Sequence, residues 1–207
     1  MTSKDETNPR TPRKRRPHRR DQILESSADL FHEQGFHATG MDEIGAAAGI
    51  TGPGVYRHFG SKQEILEAVV RPPVGLALER ARRISNESAS PRLALAGLIE
   101  AFIDGLLENR AAASLVQRER RSLTPETRAW VERAERLHVE EWVGVLSRVR
   151  PELSSRQAQA MVHAALWLCV SVTYYESGLD AAAEADLLRK MATACLLCED
   201  IDTRPAG

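Results

Sequence analysis

The sequence predicts an all-α protein of nine helices, and three observations support this prediction. Apolar residues recur every three to four positions along most of the 207-residue chain, and no segment alternates as a half-buried strand does. Gly, Pro and small hydroxyl residues occur at the intervals typical of helix starts and ends. Hydrophobic residues make up 43% of the chain, enough for a substantial core. We therefore expect helices packed on helices.

The first sixty residues contain signals for three short helices. The first is expected over 19–34, and the Gly that follows it ends it. Thr39 is expected to cap the second helix, and Gly49 to end it. The third is expected over 51–58, with Thr51 as its cap.

Six longer helices follow. Ser61 and Glu64 form a capping box for the first of them, and we expect Pro72 and Pro73 to kink or interrupt it before it continues to about residue 88. A hydroxyl before Pro, or a further capping box, marks three later starts. The remaining helices are expected over 91–109, 111–121, 124–149, 154–176 and 182–200.

Cysteine usage and hydropathy limit the class of protein. The three Cys residues, Cys169, Cys195 and Cys198, are too few for a disulfide framework and suit a reducing compartment. Cys195 and Cys198 lie inside a predicted helix without the second pair that a zinc site needs, so we interpret them as packing residues, with redox sensing as the alternative. No metal or cofactor is predicted. No secretory h-region or membrane-spanning run is present, so we expect a cytoplasmic protein that does not contact membranes.

Positive charge is concentrated near the start of the chain. Seven Arg and Lys residues and no acidic residue lie between residues 10 and 20, although the formal net charge of the whole chain is only −1. We expect a disordered basic arm over 1–18 whose cations neutralise phosphates when nucleic acid is near. Arg15 and Arg16 of the arm, and Arg19 directly after it, are candidate DNA contacts.

Residues 39–62 have the spacing of a helix-turn-helix. Small residues allow two short helices to cross closely, Gly49 accommodates the turn, and an apolar seam joins the helices. The second helix of such a motif enters the major groove of DNA. The contact candidates are Thr51, Gly52, Pro53, Gly54, Tyr56, Arg57 and His58. Of these, Thr51 and Arg57 are the candidates for direct hydrogen bonds to bases, while backbone approach and shape supply the rest.

The same residues resemble the DNA-binding domain of the TetR (tetracycline-repressor) family of bacterial regulators. The similarity comprises Phe-x-x-x-Gly-Phe at 31–36, Val-Tyr-x-His-Phe-x-Ser-Lys at 55–62, and matching small and apolar residues between them. It implies a TetR-like architecture, and phosphate contacts by Thr39, Tyr56, His58 and Lys62. The segment Gly52-Pro53-Gly54 departs from the family, where polar residues are common.

The rest of the chain is expected to form one ligand-binding and dimerisation domain. We predict a DNA-binding domain over 19–62, this second domain over 63–200 and a C-terminal tail over 201–207. Helices 154–176 and 182–200 are apolar over much of their circumference and therefore need more than one partner. The resemblance implies that they form a four-helix bundle with a second copy. Such a homodimer matches a palindromic operator in double-stranded DNA, with half-sites about one turn, roughly 34 Å, apart or a multiple of it.

A sensing pocket is expected among these helices, where aromatic and a few polar residues converge. The candidate ligand contacts are Phe102, Leu106, Arg118, Trp130, His138, Trp142, His163, Trp167 and Tyr174. Arg118 could hold a carboxylate or phosphate, although charge runs such as 118–121 are usually solvated or internally paired. An aromatic cavity suits a small hydrophobic effector. A looser resemblance to a lipid-related subgroup suggests fatty acids or acyl-CoA thioesters.

Two other classes of function were weighed. No phosphate-binding Gly loop, HExxH, Gly-x-Ser-x-Gly or telling carboxylate pair is present, so we do not expect an enzyme. The resemblance implies a repressor that an effector releases from its operator. A DNA-binding regulator without an effector, or an activator, is the alternative.

Overall fold

The computed structural model describes residues 18–175 and 177–198. Within that part of the chain all regular structure is helical, and the nine-helix, all-α prediction is confirmed. Short 3₁₀ turns follow two of the helices, at Arg120–Ser122 and Ser171–Thr173. The α-helices are α1 Arg19–Gln34, α2 Met41–Ala47, α3 Gly52–Val55, α4 Lys62–Glu87, α5 Pro91–Glu108, α6 Arg110–Arg118, α7 Pro125–Val149, α8 Ser155–Val170 and α9 Ala181–Leu197.

Some predictions concern residues outside the described ranges. These are the basic arm with Arg15 and Arg16, the tail over 201–207, and residues 176, 199 and 200 of the helices predicted over 154–176 and 182–200. The first of these two helices ends earlier than predicted, at Val170, where a 3₁₀ turn follows it.

Side-chain caps begin several helices at the predicted residues. The hydroxyls of Thr51, Ser61, Ser90, Thr124 and Ser154 each accept a hydrogen bond from the backbone N–H three residues later, at 3.1–3.3 Å. Each such cap is worth about 1 kcal/mol. At Ser154 the reciprocal bond of a capping box is also present. At α4 it is not, because the Glu64 carboxylate accepts instead from the N–H of Gly60.

Two local predictions fail: the cap at Thr39, and the interruption of α4 at Pro72 and Pro73, where a kink stays a prediction. Thr39 does not cap α2, because its hydroxyl donates to the carbonyl of Gly35 at 2.9 Å and Gly40 occupies the cap position. Pro72 and Pro73 do not interrupt α4, which is continuous although each proline lacks an N–H to donate. Buried residues on both sides of the prolines, such as Val70 and Ala81, hold the helix against its neighbours and offset the missing hydrogen bonds.

The buried side chains form two clusters. One joins α1–α3 and the first half of α4, and includes Ile23, Phe31, Val55 and Phe59. Residues of α6 and α7, such as Leu115, close this cluster. The other cluster lies among α4, α5, α7, α8 and α9. The N-terminal helices are therefore held by the following helices over a shared apolar surface.

No helix in the described ranges combines the length and apolar character needed to cross a membrane.

Candidate functional site

Two glycines set the crossing of α2 and α3. A Cβ atom on Gly45 would lie 2.8 Å from the backbone N of Gly52 and 2.8 Å from the carbonyl carbon of Thr51, so only Gly allows this approach. Gly49 has a φ of +68°, the left-handed conformation that Gly adopts without strain. The two helices are therefore fixed at close range by backbone contacts.

The outer surface of α3 presents a small set of side chains. Thr51, Pro53, Tyr56 and Arg57 are exposed, and 56% of the Tyr56 side chain is accessible. Gly52 is buried, and a Cβ there would collide with the Asp42 carboxylate. This surface offers one guanidinium, two hydroxyls and an apolar ring to a binding partner.

Cations of α1 border the same surface. The Arg20 guanidinium donates to the carbonyl of His58 at 2.9 Å and lies 4.1 Å from the centre of the Phe59 ring. The Arg19 guanidinium donates to the carbonyl of Ala48 at 3.2 Å. Both contacts bring positive charge to the ends of α2 and α3 while fixing the backbone there.

Lys62, at the start of α4, holds the loop before α2. Its ammonium donates to the carbonyls of Thr39 and His37, at 2.7 and 3.2 Å, and lies 4.7 Å from the centre of the Phe36 ring. The Thr39 side chain is only 1% exposed. This edge therefore carries the positive charge of the half-buried Lys62, whereas the Thr39 hydroxyl is inaccessible.

A cavity of about 320 Å³ lies behind this unit, between α4, α5, α6, α7 and α8. Each helix contributes one stripe of residues at helical spacing, and the 3₁₀ turn after α6 adds Arg120. The wall is mostly apolar. The lining residues are Pro73, Val74, Leu76, Ala77, Arg80, Ala101, Phe102, Gly105, Leu106, Asn109, Ala113, Val116, Gln117, Arg120, Ala134, Glu135, His138, Val139, His163, Leu166, Trp167 and Val170.

The charged groups of the wall are paired. The Arg120 guanidinium donates to both carboxylate oxygens of Glu135, at 2.6 and 2.8 Å. Arg80 lies 3.8 Å from the Glu108 carboxylate. The cavity therefore resembles the largely apolar sites that take hydrophobic small molecules with a few polar anchors.

His138 is a half-buried titratable group of this wall. Burial lowers the pKa of His138 to about 4, so the imidazole is neutral near pH 7. The indole N–H of Trp142 donates to its Nε2 at 2.7 Å.

The segment that lines the cavity also touches α1. Ala113, Val116 and Gln117 of α6 face the cavity. The hydroxyl of Ser114 lies 2.6 Å from Nδ1 of His32, and Arg118 donates to the His32 carbonyl at 3.2 Å. The neighbouring Glu119 carboxylate accepts from the N–H of Phe36, also at 3.2 Å.

A second polar link joins α4 to α7. Burial alone would raise the pKa of Glu67, but hydrogen bonds from Thr124, Thr127 and Gln63 outweigh it and lower the pKa below its usual value. Thr127 donates to Glu67 at 2.7 Å and accepts from Arg71 at 2.8 Å. These contacts hold α4 to the start of α7, between the N-terminal unit and the cavity.

The outer face of α8 and α9 is apolar and exposed. Trp167 of α8 is 55% exposed, and Leu187 and Met191 of α9 are 46% and 44% exposed. Ala160 and Ala164 extend the same face of α8. Exposed apolar residues on two neighbouring helices are typical of a protein interface.

Comparison with known proteins follows the same division of the chain. Residues 23–69 match the family model described as bacterial regulatory proteins, tetR family. The chain is 29% identical over 167 residues to the HTH-type transcriptional repressor KstR2 of Mycobacterium tuberculosis, covering 77% of this chain and 82% of that protein. The structure of KstR2, a ketosteroid transcriptional regulator, aligns with a TM-score of 0.75 at 27% identity, over 87% of this chain and 94% of that one.

The chain belongs to the TetR family of bacterial transcriptional regulators. One further relative and one further solved structure are similar to this chain. The HTH-type transcriptional activator FasR of Mycolicibacterium smegmatis is 37% identical over 89 residues, 43% of this chain and 41% of that protein. The structure of AibR in complex with isovaleryl coenzyme A and operator DNA shares the fold, with a TM-score of 0.69 at 24% identity, over 84% of this chain and 97% of that one. The recognition of a TetR-family regulator from residues 31–62 is confirmed.

In this TetR-family chain the predicted DNA contacts fall into two groups. Arg19, Thr51, Pro53, Gly54, Tyr56, Arg57, His58 and Lys62 lie on or beside α3, and they stay predictions. Thr39 and Gly52 also stay predictions, and only their backbone groups could serve, because the Thr39 hydroxyl is buried and Gly52 is packed against Asp42.

The predicted ligand contacts also divide. Phe102, Leu106, His138, His163 and Trp167 lie on the wall of the cavity and remain candidates. The structure does not place the other four there. Arg118 bonds α1, and Trp130 packs beside Gly75 under the Arg71 guanidinium. Trp142 is buried behind His138, and Tyr174 is 55% exposed outside the cavity.

The α4 side of the cavity was missed by sequence reasoning. Pro73, Leu76, Ala77 and Arg80 follow the i, i+3, i+4, i+7 spacing of one helix face, and this spacing was the available signal. The expected break at the two prolines concealed it. The Arg120–Glu135 pair was also missed, because no spacing rule connects a turn to a helix fifteen residues later.

Proposed function

We propose that this TetR-family regulator is a homodimeric repressor that a small hydrophobic molecule releases from operator DNA. The observation that carries the proposal is that one short segment, α6 with Glu119, both lines the cavity and bonds α1. A ligand that displaces α6 would alter its contacts with His32 and Phe36. The position of the DNA-binding unit would change with them.

The proposed DNA-binding domain spans residues 19–62, with α3 in the major groove of double-stranded DNA. Arg57 and Thr51 would contact bases, while Tyr56, His58 and Lys62 would contact phosphates. Arg19 and the arm residues Arg15 and Arg16 would add phosphate contacts. Thr39 and Gly52 would act through their backbone positions, and Pro53 and Gly54 through shape. Such a regulator works in the cytoplasm, where bacterial operators are found.

The proposed ligand-binding and dimerisation domain spans residues 63–200, and the homodimer forms through α8 and α9. Trp167, Leu187 and Met191 are exposed there beside small alanines, so two copies of the face could approach closely. A two-fold axis through this bundle would match a palindromic operator.

The proposed effector is hydrophobic, with fatty acids and acyl-CoA thioesters as candidate classes. The cavity is mainly apolar, and about 320 Å³ accommodates an acyl chain. KstR2, described as a ketosteroid transcriptional regulator, and AibR, solved with isovaleryl coenzyme A, lend support from related folds. The bulky coenzyme A portion of a thioester would extend out of the cavity.

The test is binding of the purified protein to DNA from its own upstream region, at two salt concentrations, with and without medium- and long-chain acyl-CoA thioesters. We expect specific binding that weakens with salt and is released by one thioester. Specific DNA binding that no thioester affects would exclude acyl-CoA thioesters as the effector. Absence of specific binding to any promoter fragment would contradict a DNA-binding repressor.

The alternative mode is activation, and the similarity to the activator FasR favours it as the second candidate. FasR matches over 41% of its length, whereas the repressor KstR2 matches over 82% and so includes the effector domain. A reporter gene under the bound promoter separates the modes. Deleting the regulator raises expression for a repressor and lowers it for an activator. If the regulator has no effector, its affinity for DNA should be the same with and without each compound tested.

A further inference from the structure

The imidazole of His138 is held in one orientation by two aromatic neighbours. Its ring centre lies 5.3 Å from that of Phe102 and 6.0 Å from that of Trp142, and Phe102 and Trp142 also contact each other edge-on. His138 and Trp142 are one helical turn apart on α7, and Trp142 is fully buried. The ring therefore has little freedom to turn.

The hydrogen bond from Trp142 also fixes the tautomer. An indole N–H can only donate, so Nε2 of His138, 2.7 Å away, must accept and carries no proton. The proton of the neutral ring then resides on Nδ1. Protonating Nε2 would set two donors against each other, and burial opposes the charged ring as well.

Nδ1–H is thus the one hydrogen-bonding group of this ring that is free for a ligand. It has no partner within residues 18–175 and 177–198. Three side-chain polar atoms in that part of the chain lack both a partner and accessible surface, and Nδ1 is not one of them. Nδ1 is therefore accessible, and it faces the cavity that the ring lines. The cationic groups of the wall, Arg120 and Arg80, already face carboxylates.

We propose that His138 is the specificity-determining residue of the cavity, an uncharged donor that selects apolar ligands carrying an uncharged acceptor oxygen such as a ketone, ester or thioester carbonyl. This rests on the proposed function of the cavity as the effector site. A hydrocarbon leaves Nδ1–H unsatisfied, and a carboxylate would lack an unpaired cation beside it. Trp142 is a positioning residue that acts through His138.

The experiment is displacement of the uncharged dye N-phenyl-1-naphthylamine from the full-length protein by three probes, 2-undecanone, undecane and undecanoate. The quantity compared is the affinity for the ketone relative to the hydrocarbon. We expect His138→Phe to lower this ratio about 3- to 10-fold, the value of one hydrogen bond. His138→Asn, whose amide can donate from the position of Nδ1, should restore part of it.

A second pair of variants tests the positioning role. Trp142→Phe should lower the ratio, because Nε2 loses its donor and the proton is free to move there. Trp130→Phe is the matched control, since its indole lies outside the cavity, and should leave the ratio unchanged. Melting curves establish that each variant is folded. Ala101→Phe, which fills the cavity, should weaken the binding of all three probes. This result would show that the probes bind in the cavity.

The outcomes separate the two proposals. Binding of all three probes with an unchanged ratio in His138→Phe overturns the role of His138 and leaves the effector cavity intact. Tightest binding by undecanoate likewise overturns it, because the site would then select anions. Failure of every probe to displace the dye from the wild-type protein removes the effector cavity, and the role of His138 with it.

Discussion

The Ser114 hydroxyl of α6 lies 2.6 Å from Nδ1 of His32 of α1, joining the wall of the cavity to the first helix of the DNA-binding unit. The same hydroxyl contacts the carbonyl of Ala111 at 2.8 Å. Ser114 is fully buried, and its neighbours Ala113 and Val116 line the cavity. A movement of α6 must therefore either break this contact or carry α1 with it.

Ser114→Ala should weaken the coupling between effector and operator. DNA binding without effector should persist, while about 3- to 10-fold more acyl-CoA should be needed to release DNA, because α1 no longer follows α6 through this bond. Titration of the DNA complex with dodecanoyl-CoA measures the shift. Ser88→Ala, at the end of α4, is the matched control. An unchanged release curve in Ser114→Ala would place the coupling elsewhere.

Gly45→Ala should disrupt the helix-turn-helix. The added methyl group would press on the backbone at Thr51 and Gly52, so we expect a loss of about 1–3 kcal/mol in stability and loss of operator binding. Urea unfolding and a DNA-binding assay measure the two effects. Gly144→Ala, in an open position on α7, should instead gain up to about 1 kcal/mol. Equal stability of the two variants would contradict the close crossing.

Arg57 and Lys62 should affect DNA binding differently. Arg57→Ala should weaken the operator by about 1–3 kcal/mol and relax sequence preference, because its exposed guanidinium is the candidate base contact. Lys62→Ala should weaken all sequences similarly and reduce the salt slope by about one unit. Binding to operator and scrambled DNA across a salt series distinguishes them, and the reverse pattern would exchange their roles.

Stability should depend on pH through His138. Its pKa is about 6.5 when unfolded and about 4 when folded, so the unfolded chain binds more protons between these values. This group's stabilisation is present above pH 6.5 and is lost as pH falls towards 4. From pH 7 to 5 the free energy of unfolding should fall by about 2 kcal/mol more in the wild type than in His138→Phe. Parallel curves in urea would contradict a neutral, buried imidazole.

Charge on the outer face of α9 should prevent dimer formation. Leu187→Glu with Met191→Lys places opposite charges one turn apart on one helix, so each monomer stays soluble while the apolar interface is lost. Sedimentation should then report a monomer with much weaker operator binding. Leu93→Glu, an exposed Leu on α5, is the control and should remain dimeric. A dimeric double variant would move the interface away from α9.

The helices could be predicted from local chemistry because their boundaries are local. The capping hydroxyls of Ser90, Thr124 and Ser154 act within three residues, and the structure has each of them at its predicted place. Thr39 failed for a related reason. Its hydroxyl could bond either a backbone N–H of α2 or a carbonyl of the preceding turn. The conformation of the 35–39 turn places it against the carbonyl of Gly35.

The cavity could be predicted only in part, because its wall depends on which faces of five helices converge. Their aromatic side chains led us to predict that Phe102 and Trp167 line the cavity, and they do. The same reasoning selected Trp130 and Trp142, which do not line it. These two are large and apolar and serve the core. Charge alone likewise could not predict whether Arg118 faces the cavity. Its neighbour Gln117 lines the cavity, whereas Arg118 points to α1 and bonds the carbonyl of His32.

The small residues in the wall have an evolutionary consequence. Ala77, Ala101, Gly105 and Ala113 line the cavity from three different helices, and a Cβ on Gly105 would still be 3.5 Å from its nearest neighbour. Enlarging any one of them would shorten the space in a different direction without touching α1–α3. Single substitutions at these positions should therefore change the ligand specificity of the cavity without changing the DNA sequence that the protein binds.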